Sequence, residues 1–108
     1  MSTLTDNIEN LRSKDPLDQM IFERGLRIRR VWIDRETDLI IVLLNNKKIL
    51  KRPFSDFVRL ANATEEQLLN FQNNGIDIHW PQIDEDLSLR GFLKYELEQV
   101  VVADLKAI

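Results

Sequence analysis

The hydrophobic positions change period along the chain. Leu4, Ile8 and Leu11 fall at i, i+4 and i+7, one stripe of an amphipathic helix. Asp15-Pro16 reads as a cap followed by a proline in the first helical turn, where its missing N–H costs nothing. Leu17, Met20 and Ile21 continue a helical stripe, and Gly25 is placed to close it in a left-handed turn. The pattern predicts two short helices, or one broken at Asp15-Pro16, forming an N-terminal helical arm over residues 1–24.

From Leu26 the period becomes strand-like. Leu26 to Ile33 alternates, but its phase slips between Arg29 and Arg30, so either both faces are partly covered or a bulge resets the pattern. After the polar turn Asp34–Asp38, Leu39–Leu44 is apolar on both faces, as expected of a central strand covered on each side. Asn45-Asn46 signals a two-residue hairpin, because asparagine tolerates the left-handed conformation. Lys47–Arg52 is the third strand of an antiparallel meander, ended by Pro53.

Beyond it, Phe54, Phe57, Val58 and Ala61 mark a short helix. Thr64-Glu-Glu-Gln67 has the form of a capping box for a second, with Leu68, Leu69 and Phe71 on its apolar side and Asn73-Asn74-Gly75 at its end. Ile76–Trp80 is a short fourth strand, edge-placed because Pro81 follows. Ser88 is a helix cap, and Leu89, Phe92 or Leu93, Leu97, Val100 or Val101 and Leu105 follow at helical spacing. Gly91 in the first turn costs about 1 kcal/mol relative to alanine, and Val100-Val-Val102 keeps a strand open as an alternative for the tail. The expected architecture is α+β: a three-stranded antiparallel meander, two short helices, a short fourth strand and a C-terminal helix. Residues 25–108 form a single domain behind the arm.

Composition narrows the classes. A chain of 108 residues, 44% hydrophobic, suffices for one core without staples. It holds no cysteine, which excludes disulfide and thiolate chemistry. The polar, acidic start does not resemble a signal peptide, and the longest apolar run, Leu39–Leu44, is too short to span a bilayer. A cytoplasmic protein without membrane contact is expected. The net charge of −3 is unevenly distributed: residues 24–52 carry nine Arg and Lys against three acids, and residues 53–108 carry four against ten. That basic middle suits an anionic partner, or the protein's own acidic segments within one chain or across a dimer.

Two segments carry a resemblance. Pro53-Phe-Ser-Asp-Phe-Val-Arg-Leu-Ala-Asn-Ala-Thr-Glu-Glu-Gln-Leu68 and Ile78-His-Trp-Pro-Gln-Ile-Asp-Glu-Asp-Leu-Ser-Leu-Arg-Gly-Phe-Leu93 resemble the bacterial domain-of-unknown-function family 2442, over about residues 26–93. Departures are Phe71, where a tryptophan is common, and Asn73–Asp77, where a longer glycine-rich loop is usual. The resemblance implies a small α+β fold. Family genes often sit beside small toxin-like genes, which implies an antitoxin-type or regulatory binding role; it transfers no mechanism.

His79 with Asp84, Glu85 and Asp86 is the constellation to test for metal or acid–base chemistry. One histidine without cysteine is a poor zinc set, and consecutive acids diverge. The acids are better explained as capping the following helix, and His79 as a strand histidine bonded to a carboxylate or carbonyl. Trp80-Pro81 is expected to pack over the sheet with its indole N–H satisfied. His79, Trp80, Pro81, Asp84, Glu85, Asp86, Ser88 and Gly91 are thus read as structural. No nucleophile has an activating context, and neither a phosphate loop nor a nucleophile elbow is present, so no enzyme, metal or cofactor is expected. Arg27, Arg29, Arg30, Lys47, Lys48, Lys51 and Arg52 are the candidate interaction or anion-binding residues. The sequence points to a regulatory, antitoxin-like protein-interaction module that binds a partner or itself. The alternative is a nucleic-acid-binding module using basic strands 27–30 and 47–52, with Trp32 as a stacking platform.

Overall fold

In the structure, a computed structural model, residues 15–107 are described, with side chains as far as Val102. The stripe of Leu4, Ile8 and Leu11 lies outside the described residues. The second helix of the arm is a single turn, α1 (Pro16–Asp18), running into a π-helical turn over Gln19–Glu23. Asp15 caps it by accepting from the Leu17 N–H, Pro16 sits in the first turn, and Gly25 follows at φ 72°.

The meander is β1 (Ile28–Asp34), β2 (Leu39–Leu44) and β3 (Ile49–Arg52), antiparallel in that order. The phase slip is a bulge: Ile28 pairs with Leu44 but Arg30 with Leu43, leaving Arg29 unopposed. Past the bulge, Val31 and Ile33 rejoin the face of Ile28, opposite Val42 and Ile40. Ile40, Val42, Leu44 and Leu50 are buried on this inner face. The outer face departs from expectation, since Ile41 and Leu43 are only half-buried and their neighbours Trp32 and Ile49 are exposed. The hairpin also differs. Its loop is Asn45-Asn46-Lys47, and Lys47 takes the left-handed place at φ 71°. Both asparagine side chains instead hold backbone: Asn45 accepts from the Arg27 N–H, and Asn46 from that of Lys48.

The helical region after Pro53 is in three pieces. A 3-10 turn, Phe54–Asp56, is separated from α2 (Val58–Ala61) by Phe57, which is extended at φ −112° and ψ 107°. That break resets the helical phase, so Val58 is exposed and Leu60 fully buried. Next, α3 (Glu65–Leu69) begins with the expected capping box, Thr64 and Gln67 each bonding the other's backbone N–H. It ends at Leu69, earlier than Asn73-Asn74-Gly75, because the chain turns into a strand.

That strand belongs to a second sheet of β4 (Gln72–Asn73), β5 (Asp77–Trp80) and β6 (Glu85–Ser88), antiparallel in that order. The fourth strand expected at an edge is therefore central, with Pro81 in the turn beyond it. The acidic triplet does not cap the last helix either. Asp84 occupies the turn at φ 51°, whereas Glu85 and Asp86 lie in β6 opposite Trp80 and His79. Trp80 is fully buried; its indole N–H donates to the Leu68 carbonyl at 3.0 Å, and Phe71 packs beside it at 6.1 Å between ring centroids. The sheets meet where Ile28 N–H donates to the Gly75 carbonyl and the Asn73 amide donates to the Ile28 carbonyl.

The last element, α4 (Leu89–Ala107), is helical throughout, so the tail is not a strand. Ser88 caps it, its hydroxyl accepting from the Gly91 N–H. Leu89, Phe92 and Leu93 enter the common core. Arg52, on the inner side of β3, lies over Phe57, Phe92 and Tyr95 with its guanidinium carbon 4.7, 5.6 and 5.2 Å from the ring centroids. A Cβ on Gly91 would meet Arg52 Nη1 and Ser88 Oγ, each at 3.1 Å. Gly91 is thus confined both by the cation held among three rings and by the Ser88 hydroxyl that caps the helix. Arg90, next along the helix, pairs with Asp15 and Asp18 and docks α1 on α4.

Replacing Trp80 with Phe keeps most of the packing but leaves the Leu68 carbonyl without its donor, and should cost about 1–3 kcal/mol in urea unfolding. Gly91→Ala should lower the melting temperature although alanine is the better helix former by about 1 kcal/mol. In an Arg52→Ala background the loss should shrink, because only the Ser88 Oγ contact remains. The Asp15 carboxyl is held below its ordinary value, chiefly by the hydrogen bond from Arg90. Its contribution is therefore complete above the unfolded value, about pH 4, and is lost as pH falls through the lower folded value. The melting-temperature gap between wild type and Asp15→Asn should narrow as pH is lowered from about 7 to about 3.

Candidate interaction surfaces

The seven basic residues singled out along the strands do not form one patch. Arg27 is half-buried and donates to the carbonyls of Ile21 and Leu26 at 2.6 and 2.7 Å, tying down the π-helical turn that follows α1. Gly75 passes close to it, since a Cβ there would meet Arg27 Cδ at 3.2 Å. Arg52 is held on the inner face by its rings. Arg29, Arg30, Lys47, Lys48 and Lys51 are exposed, and among the described residues none forms an ion pair. Arg30 and Lys51 point to the outer face of the meander. Arg35 was not among the candidates, yet it ties the β1–β2 turn to α3 through Glu65 at 2.8 Å and the Ala63 carbonyl at 2.6 Å.

His79 and Asp86 face each other across β5 and β6, with Nδ1 to Oδ1 at 2.7 Å. This is the carboxylate partner expected for a strand histidine. Among the described residues no group of three or more potential ligands gathers for a metal ion. Asp84 and Glu85 diverge from the pair, one in the turn and one opposite Trp80.

Two apolar surfaces stand out instead. One is the outer face of the meander, where cross-strand pairing sets Trp32, Ile41 and Lys51 in one row and Arg30, Leu43 and Ile49 in the next. Trp32 is 49% and Ile49 63% exposed, so an aromatic and three aliphatic side chains form an open surface with cations at opposite corners. The signal for it was the bulge: once Arg29 is taken as the extra residue, Arg30 and Trp32 fall on the face away from the core. The second is the far half of α4. Leu97 is 56% and Val101 57% exposed, one helical turn apart, with Val100 and Val102 also exposed. Glu96 and Glu98 flank that stripe on either side at helical spacing. Among the described residues no helix is long and apolar enough to cross a membrane.

Two solved structures are similar to the chain. A protein of unknown function from Rhodospirillum rubrum has 29% sequence identity and a TM-score of 0.56, over 65% of this chain and 87% of that one. An uncharacterized protein from Chromobacterium violaceum, solved by solution NMR, has 26% identity and a TM-score of 0.59, over 87% of this chain and 85% of that one. No curated protein matches. The family model described as "Protein of unknown function (DUF2442)" matches residues 28–98, which takes in the meander, both sequence motifs, the second sheet and the anchored half of α4. The chain belongs to that family.

Proposed function

We propose that this chain is a non-enzymatic interaction module of regulatory, antitoxin-like type, which binds a protein through the outer face of its meander. The observation that carries this reading is the row of Trp32 beside Ile41, with Leu43 and Ile49 adjacent, on a sheet whose other face already completes the core. Exposed aromatic and aliphatic side chains rimmed by arginine are the composition of a contact surface rather than of an ordinary solvated strand. His79 fits a structural part better than a catalytic one, because Asp86 engages its ring and no nucleophile stands beside it among the described contacts.

A second reading is favoured by one arrangement: Arg30 and Lys51 share the outer face with Trp32, as cations and a base-stacking ring do on single-strand platforms. Under it, oligonucleotide binding falls steeply with salt and weakens on Lys48→Ala with Lys51→Ala.

Co-expression with the product of the adjacent gene should give a complex that survives purification. Trp32→Glu should weaken it at least tenfold while circular dichroism stays unchanged. A complex indifferent to Trp32→Glu, or none at all, would count against the outer face as the contact.

A further inference from the structure

We infer that the outer face of the meander receives the far half of α4 from a second copy of the chain, so that two copies exchange helices reciprocally. The inference rests on the interaction reading above and names the partner. Three observations lead to it.

The first is charge. The apolar sheet face carries Arg30 and Lys51 at its corners, and the apolar stripe of α4 carries Glu96 and Glu98 at its sides. The same complementarity holds for the segments: residues 24–52 balance to +6 and residues 53–108 to −6. Glu96 and Glu98 would thus meet opposite charge at the corners of the sheet face, although Lys94 lines the same apolar stripe beside Leu97, Glu98 and Val101.

The second is size. Three strands measure about 10 Å across, and the helical stretch from Glu96 to Val102 is about 9 Å long, so one helix end covers the sheet face. Leu97 and Val101 present two anchors one turn apart to the two rows that hold Trp32 with Ile41 and Leu43 with Ile49. In a reciprocal pair this contact occurs twice, which brings the buried area towards the roughly 1,200–2,000 Å² of stable interfaces.

The third is geometry. Leu89, Phe92 and Leu93 anchor α4 in the core, and Tyr95 meets Arg52 on the inner side of β3. From there the helix runs on for about 16 Å, from Glu96 to Ala107. Glu96 and Gln99 reach as far as Leu39 and Lys51 of their own sheet, while Trp32 and Ile49 on its outer face stay exposed. Another copy's helix can reach that face.

The test is the solution mass of the full-length protein, measured by sedimentation across concentration, for wild type, Trp32→Glu, Val101→Glu and an equimolar mixture of the two variants. Wild type should be dimeric, and each variant alone should associate at least tenfold more weakly with its circular dichroism unchanged. The mixture should recover dimers, because a sheet face from one variant and a helix from the other still make one intact contact. Loss of association on deleting residues 1–14 would assign the contact to those residues and overturn the inference. Dimers of Trp32→Glu as strong as wild type would indicate helix-to-helix pairing and overturn it too. A wild-type monomer at every concentration would also overturn it, while a complex with the adjacent gene product that is sensitive to Trp32→Glu would still uphold the interaction reading.

Discussion

The fold turns on Arg52. Its guanidinium lies among three aromatic rings on the inner side of β3, and among the described residues its Nε is buried without a hydrogen-bond partner. A cation in that position is stabilised by ring faces in place of a carboxylate. It joins the meander to the last helix, since Phe92 and Tyr95 come from α4 and Phe57 from the connection that follows β3. The same guanidinium, with the Ser88 hydroxyl, fills the space where a side chain on Gly91 would go. An arginine that reads as one more solvated strand residue is thus the joint between the two halves of the molecule.

That joint decides what remains open. Holding α4 on the inner side closes one face of the meander over Ile40, Val42 and Leu44 and leaves the other to Trp32, Ile41, Leu43 and Ile49. It also anchors only the first half of α4, so Leu97 and Val101 extend past the core without cover among the described residues. Trp80 does the corresponding work in the second sheet, where its N–H fixes the end of α3 to β5. Each of these contacts stabilises the core, and together they leave two apolar surfaces exposed among the described residues.

Much of this was legible in local sequence. The Thr64–Gln67 capping box, the Asp15-Pro16 start, Gly25 and the slip at Arg29-Arg30 all depend on neighbours within a few residues, and the structure has each of them. What was not legible depends on distant pairing. Gln72–Asn73 and Glu85–Ser88 are polar and poor strand formers, and they are strands because β5 pairs with both. Leu60 was missed because Phe57 breaks the helix and shifts its phase. Arg27 and Arg52 both read as strand residues in the sequence, but Arg27 precedes β1 and ties down a helical turn, whereas Arg52 joins sheet to helix.

The central claim is that the outer face of the meander is a contact surface. The chain has two tryptophans, Trp32 on that face and Trp80 buried in the second sheet, so one reports on the contact face and the other on the core. Fluorine NMR of the wild-type protein grown with fluorotryptophan separates them. As concentration rises, the solvent-isotope shift of the Trp32 signal should shrink while that of Trp80 stays near zero. A Trp32 signal equally exposed to solvent at every concentration, and with the adjacent gene product present, would contradict the account.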